Sequence, residues 1–260
     1  EPLLRKDFQA IYTHAKKNGL LVSIFSNGTL INDSLLELFT DLPPKAVEIT
    51  LLGATEQTHD RITGVRGFFE RCLNEISNLK KHKINLRLKT VLMRQNRGEF
   101  FAIKTLAENM GVKFRFDSAI FPTLDGQKYP MELRVSAEEA VEIEFSDPER
   151  FEEWKDFYLR TSDVPASEVL YRCGAGHSYF YINPFGDLQP CLMVTGLKYN
   201  LRNGDFLDGW STVMPRLKTK KITNDHSCNG CGKKNLCGFC PGFFDLETGS
   251  EETFSKYLCD

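Results

Sequence analysis

The sequence has 260 residues, of which 41% are hydrophobic and 26% are charged, and its formal net charge is −2. This balance gives no electrostatic reason to expect nucleic acid or an anionic membrane as a partner, and no apolar run approaches the roughly 20 residues that span a bilayer. The length suits one large or two modest domains with a real hydrophobic core.

Helices and strands alternate in the predicted pattern of the first 117 residues. A helical spacing ends at Asn18-Gly19, and the apolar run Leu20–Phe25 is typical of a buried strand. Alternation with short connections predicts right-handed βαβ units and a parallel sheet, and four strands cannot close an eight-stranded barrel. We therefore expect an α/β fold with an incomplete parallel β/α barrel. Its predicted strands are 20–25, 46–52, 84–93 and 112–117, and its predicted helices are 3–18, 33–39, 67–83 and 99–110.

The pattern changes after residue 119. A loop with prolines and a glycine leads into a charged helical stretch over residues 136–160, and the chain is rich in glycine, aromatic residues and cysteine from Tyr171 onward. We predict a partial barrel at 1–124, a helical linker at 125–170 and a small cysteine-rich α+β domain at 171–260.

The cysteines are the most informative residues. Cys72 stands alone in a helical pattern, whereas the other seven lie between Cys173 and Cys259. An odd number in a chain that needs no disulfide staples favours metal ligation in a reducing, cytoplasmic compartment. Close pairs such as Cys228-Asn-Gly-Cys231 let two thiolates from one turn bind the same metal centre.

Two kinds of metal site fit this spacing. One structural zinc on Cys228, Cys231, Cys237 and Cys240 is permitted by the spacing of those four alone. It leaves Cys173, Cys191 and Cys259 unexplained, whereas two four-iron clusters would use seven thiolates plus one position without cysteine. The count favours iron–sulfur clusters.

The order of these cysteines resembles the SPASM domain, the auxiliary-cluster extension of radical S-adenosylmethionine (radical SAM) enzymes that modify peptides and proteins. The resemblance includes Gly186-x4-Cys191 at the end of a predicted hairpin. It implies two auxiliary 4Fe-4S clusters. The distal cluster would be bound by Cys228, Cys231, Cys237 and Cys259, and the proximal cluster by Cys173, Cys191 and Cys240. Some members have one more cysteine shortly after the first, where this chain has Gly174–Tyr179; His177 lies there, although a packing or hydrogen-bonding role is more usual for a lone histidine.

The amino-terminal region resembles the same family. Glu1-Pro2 matches the end of a Gly-Gly-Glu-Pro motif, and its glutamate is implied to hold the methionyl amino group of S-adenosylmethionine. Ser26-Asn27 resembles the polar motif of the third barrel strand, and the segment from Thr50 resembles the fourth-strand signature. Leu92, at the end of the next strand, is the remaining expected cofactor contact. Thr50 and Leu52 replace the usual serine and aspartate of the fourth-strand signature.

The resemblance also implies a function. A third 4Fe-4S cluster, on a Cys-x3-Cys-x2-Cys loop, belongs upstream of Glu1, so the sequence predicts that the native amino terminus lies upstream and that this chain alone does not cleave S-adenosylmethionine. The intact enzyme would cleave it reductively to a 5′-deoxyadenosyl radical and cross-link, cyclise or oxidise a peptide or protein, with flavodoxin or ferredoxin as electron donor. No catalytic residue is singled out.

Two alternatives remain open at this point. One is a non-enzymatic module that binds a protein partner and is stabilised by zinc, which would be colourless. The other is an iron–sulfur electron-transfer module, which would lack the cofactor contacts at Glu1, Asn27 and Thr50.

Overall fold

The computed structural model describes residues 1–162, 167–233 and 236–260. The chain divides into two compact units, which we call the amino-terminal unit (1–120 and 133–135) and the carboxy-terminal unit (121–132 and 136–260). Residues 163–166, which belong to the predicted linker, lie outside the described residues.

The amino-terminal unit is an α/β fold around a four-stranded parallel sheet in the order β1-β2-β3-β4. The predicted α/β fold class and parallel sheet are confirmed. The strands are β1 (Ser23–Ser26), β2 (Ala46–Thr50), β3 (Leu86–Val91) and β4 (Lys113–Asp117). The helices are α1 (Phe8–Lys17), α2 (Asp33–Asp41), α3 (Glu56–Thr63), α4 (Phe68–Lys81) and α5 (Phe100–Asn109).

One face of this sheet packs under helices. Because strand side chains alternate between the two faces, Ile24, Ile49 and Leu88 share that face, and each is at most 4% exposed. They belong to one buried cluster that also contains Phe39 and Cys72. Burial, with a smaller effect of Glu75, raises the pKa of Cys72 to about 12. Cys72 therefore behaves as a small apolar core residue.

The opposite face of the sheet carries charged side chains. Glu48 of β2 is 4% exposed, and it accepts a hydrogen bond of 2.9 Å from the Arg115 guanidinium of β4. Lys89 of β3 lies 4.0 Å from the same carboxylate and 4.7 Å from the centre of the Phe25 ring. The buried Glu48 carboxylate of β2 is thus neutralised by one cation from β3 and one from β4.

The predicted start of the first strand was wrong. Leu20 and Leu21 are 58% and 76% exposed, and β1 begins only at Ser23. Gly19 adopts a left-handed φ of 81°, and the Leu20 amide donates to the Ala15 carbonyl at 3.1 Å. The Leu20 amide therefore pairs with the end of helix α1, because the last carbonyls of a helix still need donors.

Two further differences concern helices. Helix α3 falls where no helix was predicted, and Thr55 caps it by accepting from the Thr58 amide. The predicted helical stretch 136–160 is two helices, α6 (Ala137–Ser146) and α7 (Pro148–Thr161). Pro148 has no amide hydrogen and so cannot continue α6, but it suits the first turn of α7.

The carboxy-terminal unit contains helices and an antiparallel sheet, which agrees with the α+β character predicted for residues 171–260. Its antiparallel sheet has the order β5-β6-β7, and its apolar side chains are buried in small separate clusters. The strands are β5 (Tyr181–Ile182), β6 (Asp187–Gln189) and β7 (Tyr199–Asn200). Besides α6 and α7, the helices are α8 (Phe206–Lys218), α9 (Pro241–Thr248) and α10 (Lys256–Cys259). Within the described residues, no helix has the length and apolar character that crossing a membrane requires.

Candidate cofactor sites

Three predicted cofactor contacts meet beside the end of β1. The Glu1 carboxylate accepts hydrogen bonds from the Ser26 hydroxyl at 3.1 and 3.0 Å, from the Asn27 amide at 2.7 Å and from the Leu3 amide at 3.1 Å. Ser26 is 4% exposed, whereas Glu1 is exposed. The structure therefore holds an accessible carboxylate in one orientation through buried and backbone donors.

The turn after β1 depends on a glycine. Gly28 has a φ of +70°, and a Cβ atom built there would lie 2.8 Å from Ile49 and 3.3 Å from the Cys72 sulfur. The Gly28 amide donates to the Ser26 hydroxyl at 3.0 Å. Only glycine fits this turn, because both its conformation and the core beneath it exclude a side chain.

Thr50 and Leu92 lie at the same edge of the sheet. Thr50 ends β2, and Leu92 directly follows β3, so parallel pairing brings both to the carboxyl ends of the strands. Thr50 is half-buried and Leu92 is fully buried, with its amide donating to the Asp117 carbonyl at 2.9 Å. The hydrogen bonds described above that join Glu1, Ser26 and Asn27 do not include them.

The loop after β2 is held by side chains from distant parts of the sequence. Asn96, 2% exposed, donates to the carbonyls of Leu52 at 3.1 Å and Val91 at 2.9 Å and accepts from the Met93 amide at 2.8 Å. His59, also 2% exposed, accepts from the Leu52 amide at 3.1 Å through Nδ1. Burial lowers the pKa of His59 despite the opposing charge of Asp60. A neutral ring is required, because Nδ1 acts as an acceptor.

Glu99 holds the next part of this loop. Its carboxylate accepts from the amides of Ala54 at 2.8 Å and Thr55 at 3.2 Å and from the Thr55 hydroxyl at 3.0 Å. Burial acts to raise the pKa of Glu99, but the hydrogen bonds from Thr58, Ala54 and Thr55 together lower it below its ordinary value. The sequence analysis did not find Asn96 or Glu99, because both lie more than 40 residues from the loop and belong to no short motif.

The four cysteines expected at the distal site line one cavity. Its volume is about 90 Å³, and the lining also includes the aromatic rings of Phe239, Phe244 and Phe254. Burial raises the pKa of Cys237, and the nearby Cys231 and Cys259 thiols raise it further. The hydrogen bond from the Phe239 amide and the charge of Arg172 act to lower it. The cysteines that line the cavity are Cys228, Cys231, Cys237 and Cys259.

Backbone pairing explains how Cys228 and Cys259 meet. The Ser227 amide donates to the Glu252 carbonyl at 3.0 Å, and the Phe254 amide donates to the Ser227 hydroxyl at 2.8 Å. The Cys259 amide then donates to the Ser255 carbonyl at 3.2 Å in the short helix α10. These bonds join the two ends of the 32-residue segment from Cys228 to Cys259, and both cysteines line the same cavity.

The three cysteines expected at the proximal site also converge. Cys240 precedes helix α9, Cys191 follows β6, and Cys173 follows a buried Leu170-Tyr171 pair. Burial raises the pKa of Cys240, and the nearby Cys191 and Cys173 thiols raise it further. Hydrogen bonds from the backbone act to lower it. The structure therefore places Cys240 with Cys191 and Cys173, not in the quartet that a single zinc would require.

A tyrosine completes this group. Tyr179 lies near Cys191 and Cys173. Burial is the largest of the causes that raise its pKa, followed by its interactions with Cys191 and Cys173. His177, which the sequence offers in the same stretch, is exposed.

Among residues 1–162, 167–233 and 236–260, no group of three or more histidines, cysteines or acidic residues is close enough to share one metal ion. Four of the seven cysteines line the distal cavity, and Cys240 lies near Cys191 and Cys173.

Residues 1–107 match the family model of the radical SAM superfamily. The match covers the amino-terminal 107 of the 260 residues, and the radical SAM assignment is made for that part of the chain. This confirms the family recognised from the motifs around Glu1, Ser26 and Thr50, and the superfamily is one of enzymes.

Curated relatives and solved structures are similar to this chain beyond residue 107 as well. The AdoMet-dependent heme synthase of Methanosarcina barkeri is 24% identical over 99% of this chain and 80% of its own length. The mycofactocin maturase MftC of Mycobacterium tuberculosis is 25% identical over 91% of this chain and 63% of its own length. Streptococcus suis SuiB bound to S-adenosylmethionine matches with a TM-score of 0.72 and 17% identity, covering all of this chain and 64% of that one. The SuiB likeness confirms the fold, and the radical SAM chain spans about two thirds of SuiB and MftC.

Proposed function

We propose that this protein is a radical SAM enzyme that modifies a peptide or protein, with two auxiliary 4Fe-4S clusters held by the seven cysteines of its carboxy-terminal unit. The observation that supports it best is the division of those cysteines into two groups. Cys228, Cys231, Cys237 and Cys259 line one cavity, and Cys240 lies beside Cys173 and Cys191.

The residues at the distal cavity suit an iron–sulfur cluster. Phe239, Phe244 and Leu258 contribute apolar surface to the cavity that the cysteines line. A low-polarity shell of this kind tunes the potential of a cluster and protects its sulfurs. Thiolate ligands also need a reducing environment, and we therefore place the protein in the cytoplasm.

We assign S-adenosylmethionine binding to the carboxyl edge of the parallel sheet. Glu1 would accept from the methionyl ammonium group, and the donors of Ser26 and Asn27 would hold its carboxylate in position. Thr50, half-buried at the end of β2, would contact the same ligand. Leu92, expected from the sequence as a further contact, is 0% exposed, so its side chain would support this edge from the core and would not touch the ligand. Together with a reduced 4Fe-4S cluster, S-adenosylmethionine supplies a 5′-deoxyadenosyl radical that abstracts hydrogen from the substrate.

The substrate proposal is supported by the likeness to the maturase MftC over 91% of this chain. We propose cross-linking, cyclisation or oxidation of a peptide or protein side chain, with a flavodoxin or ferredoxin as the electron donor. The likeness to a heme synthase over 99% of the chain favours an iron porphyrin as a second candidate substrate.

The iron and sulfide content of anaerobically prepared protein tests the cluster assignment. We expect brown protein with about eight iron and eight sulfide per chain from the two auxiliary clusters. Colourless protein with one zinc would contradict the proposal and support a zinc-stabilised binding module.

Binding of S-adenosylmethionine distinguishes an enzyme from an electron-transfer module. Replacing the charged acceptor, Glu1→Gln, should weaken binding measured by calorimetry by about tenfold or more, because hydrogen bonds to charged groups are worth about 1.5–3 kcal/mol. The matched control is Glu37→Gln, at an exposed glutamate of α2. Equal affinities for the two variants would contradict the assigned site.

Mass spectrometry tests the substrate class. The reduced full-length enzyme, which would carry the third cluster, would be given S-adenosylmethionine with a pool of synthetic cysteine-containing peptides and, separately, with an iron coproporphyrin. Loss of two hydrogens from a peptide supports the peptide proposal. Change in the porphyrin alone would replace it with the second candidate.

A further inference from the structure

Helices α6 and α7 leave their apolar side chains open to solvent. All residues of the two helices are described, and none of them is buried. Phe145 of α6 is 46% exposed, and Phe151 and Tyr158 of α7 are 48% and 53% exposed. Phe151, Trp154 and Tyr158 recur at intervals of three and four residues, so they share one face of α7. An apolar stripe of this kind normally packs against something, and this one does not.

The aromatic rings on these helices form a groove. The Phe145 ring packs edge-on against the rings of Phe151 and Trp154, with centroids 5.8 and 6.5 Å away. The Trp154 indole donates from Nε1 to the Glu144 carboxylate at 2.8 Å, which holds its orientation. The groove has a volume of about 300 Å³, and the same three rings and Tyr158 line it. We call it the α7 groove, and its walls are mainly aromatic.

The two helices also carry a strong negative charge. From the start of α6 to the end of α7, the sequence has nine acidic and three basic side chains, an excess of six negative charges, whereas the whole chain has a net charge of −2. Arg150 and Lys155 already pair with glutamates of the same helices. Glu142, Glu149 and Asp156 are exposed, and within the described part of the chain they have no ion-pair partner. The α7 groove therefore lies on an acidic surface.

This charge determines which kind of partner fits the α7 groove. A second copy of the chain would bring an equally acidic surface against the first, and like charges across an interface oppose binding. A segment rich in lysine and arginine would instead pair with the carboxylates that have no cation. If that segment is an amphipathic helix, its apolar side chains recur at the spacing that an apolar groove accepts. A basic amphipathic segment satisfies both the groove and its acidic surroundings.

We propose that the α7 groove binds a basic amphipathic segment of the peptide or protein substrate. Apolar side chains of the segment enter the groove, and its lysine and arginine side chains face the acidic residues of α6 and α7. This inference rests on the proposed peptide or protein substrate. The segment holds the substrate to the enzyme through a part that is not itself modified.

Binding of synthetic peptides to the cluster-loaded protein tests the inference. The probe is a fluorescently labelled peptide of about 18 residues, built from lysine and leucine with the leucines at helical spacing. A scrambled peptide of the same composition is its control. In fluorescence anisotropy, the amphipathic peptide should bind at least about tenfold more tightly than the scrambled one, and its affinity should fall as salt is added.

The double variant Phe151→Ala/Tyr158→Ala tests the apolar walls of the groove. Because both side chains are exposed, the protein should fold and keep its iron, while its affinity for the amphipathic peptide should fall about tenfold or more. Phe101→Ala/Tyr129→Ala is the matched control, since these two rings are exposed elsewhere on the protein. It should leave the affinity unchanged.

A triple variant tests the acidic surface. It should bind the amphipathic peptide more weakly and with a smaller dependence on salt, because fewer carboxylates remain to pair with lysine. A control triple variant neutralises three exposed carboxylates of the amino-terminal unit and should behave like the wild type. The test variant is Glu142→Gln/Glu149→Gln/Asp156→Asn, and the control is Glu37→Gln/Asp41→Asn/Glu56→Gln.

Three results would overturn the inference. Equal affinities of the amphipathic and scrambled peptides, or of the groove variant and the wild type, would overturn it alone. A wild-type dimer in analytical ultracentrifugation that Phe151→Ala/Tyr158→Ala abolishes would assign the groove to a second copy. Change in the porphyrin alone by the full-length enzyme would overturn the peptide or protein substrate of the proposed function, and this inference with it.

Discussion

The amino-terminal unit buries one continuous group of 18 side chains beneath its sheet, whereas two clusters of the carboxy-terminal unit contain five and three buried residues. The carboxy-terminal unit instead contains seven cysteines, four of which line one cavity. Metal ligation commonly adds to the stability of a unit that carries such ligands. We therefore expect the first unit to depend on apolar packing and the second on its clusters.

Removing the distal ligands should have the largest effect. The double variant Cys228→Ser/Cys231→Ser should lose about four iron atoms per chain. It should also lose hydrogen-exchange protection across residues 223–260, because the short helix α10 and the turns there have little apolar core of their own. Protection in the amino-terminal unit should not change.

Cys72→Ala is the control for that variant. Cys72 is fully buried in the amino-terminal core, so its replacement should leave the iron content intact. Equal loss of iron from both proteins would contradict the expectation that the carboxy-terminal unit depends on its clusters. Unchanged carboxy-terminal protection after removal of the ligands would contradict it too.

A cavity in the larger core should have the next largest effect. Leu88 is 0% exposed at the centre of the sheet, and Leu88→Ala should reduce the free energy of unfolding of the amino-terminal unit by about 2–5 kcal/mol. Urea denaturation of the cluster-loaded protein would measure it. Leu21→Ala, at a leucine 76% exposed, should change it by less than about 0.5 kcal/mol. Similar values for both would show that the core does not carry the stability of this unit.

Loss of a buried polar side chain should reduce the free energy of unfolding by a smaller amount. Asn96→Ala leaves the Leu52 and Val91 carbonyls and the Met93 amide without this partner, at a cost of about 1–3 kcal/mol. Hydrogen exchange should show faster opening of the loop after β2. Asn109→Ala, at an exposed position at the end of α5, should leave that loop as it is. An unchanged loop in Asn96→Ala would show that Glu99 and His59 hold it alone.

The smallest effect is a pH dependence confined to the amino-terminal unit. Because burial lowers the pKa of His59 below its ordinary 6.5, the unfolded chain takes up a proton near pH 6.5 that the folded chain does not. Stability should therefore fall as the pH drops below about 6.5 until it passes the folded pKa. His59→Asn should remove this slope in denaturation curves, and His14→Asn, on the exposed side of α1, should retain it. If stability depends on pH equally in the wild type and both variants, groups other than His59 cause that dependence.

Part of the candidate site was predicted because it is local in sequence. Glu1, Ser26 and Asn27 were identified from short motifs, and the structure joins them by hydrogen bonds. The cysteines were identified by their spacing, and the structure places them in the two expected groups, whose role as cluster ligands stays a prediction. The Leu20–Leu21 error has the same origin, since two adjacent leucines resemble a buried strand whether or not a sheet covers them.

The sequence alone determined the parallel α/β sheet, the α+β character of the cysteine-rich part and the radical SAM family, because periodicity, turn residues and motif order are properties of neighbouring residues. Only the tertiary structure decided that Asn96 and Glu99 hold the loop after β2 and that Tyr179, not His177, approaches Cys173 and Cys191. Those contacts depend on which side chains the folded backbone brings close together. No pattern along the chain records the distances between those side chains.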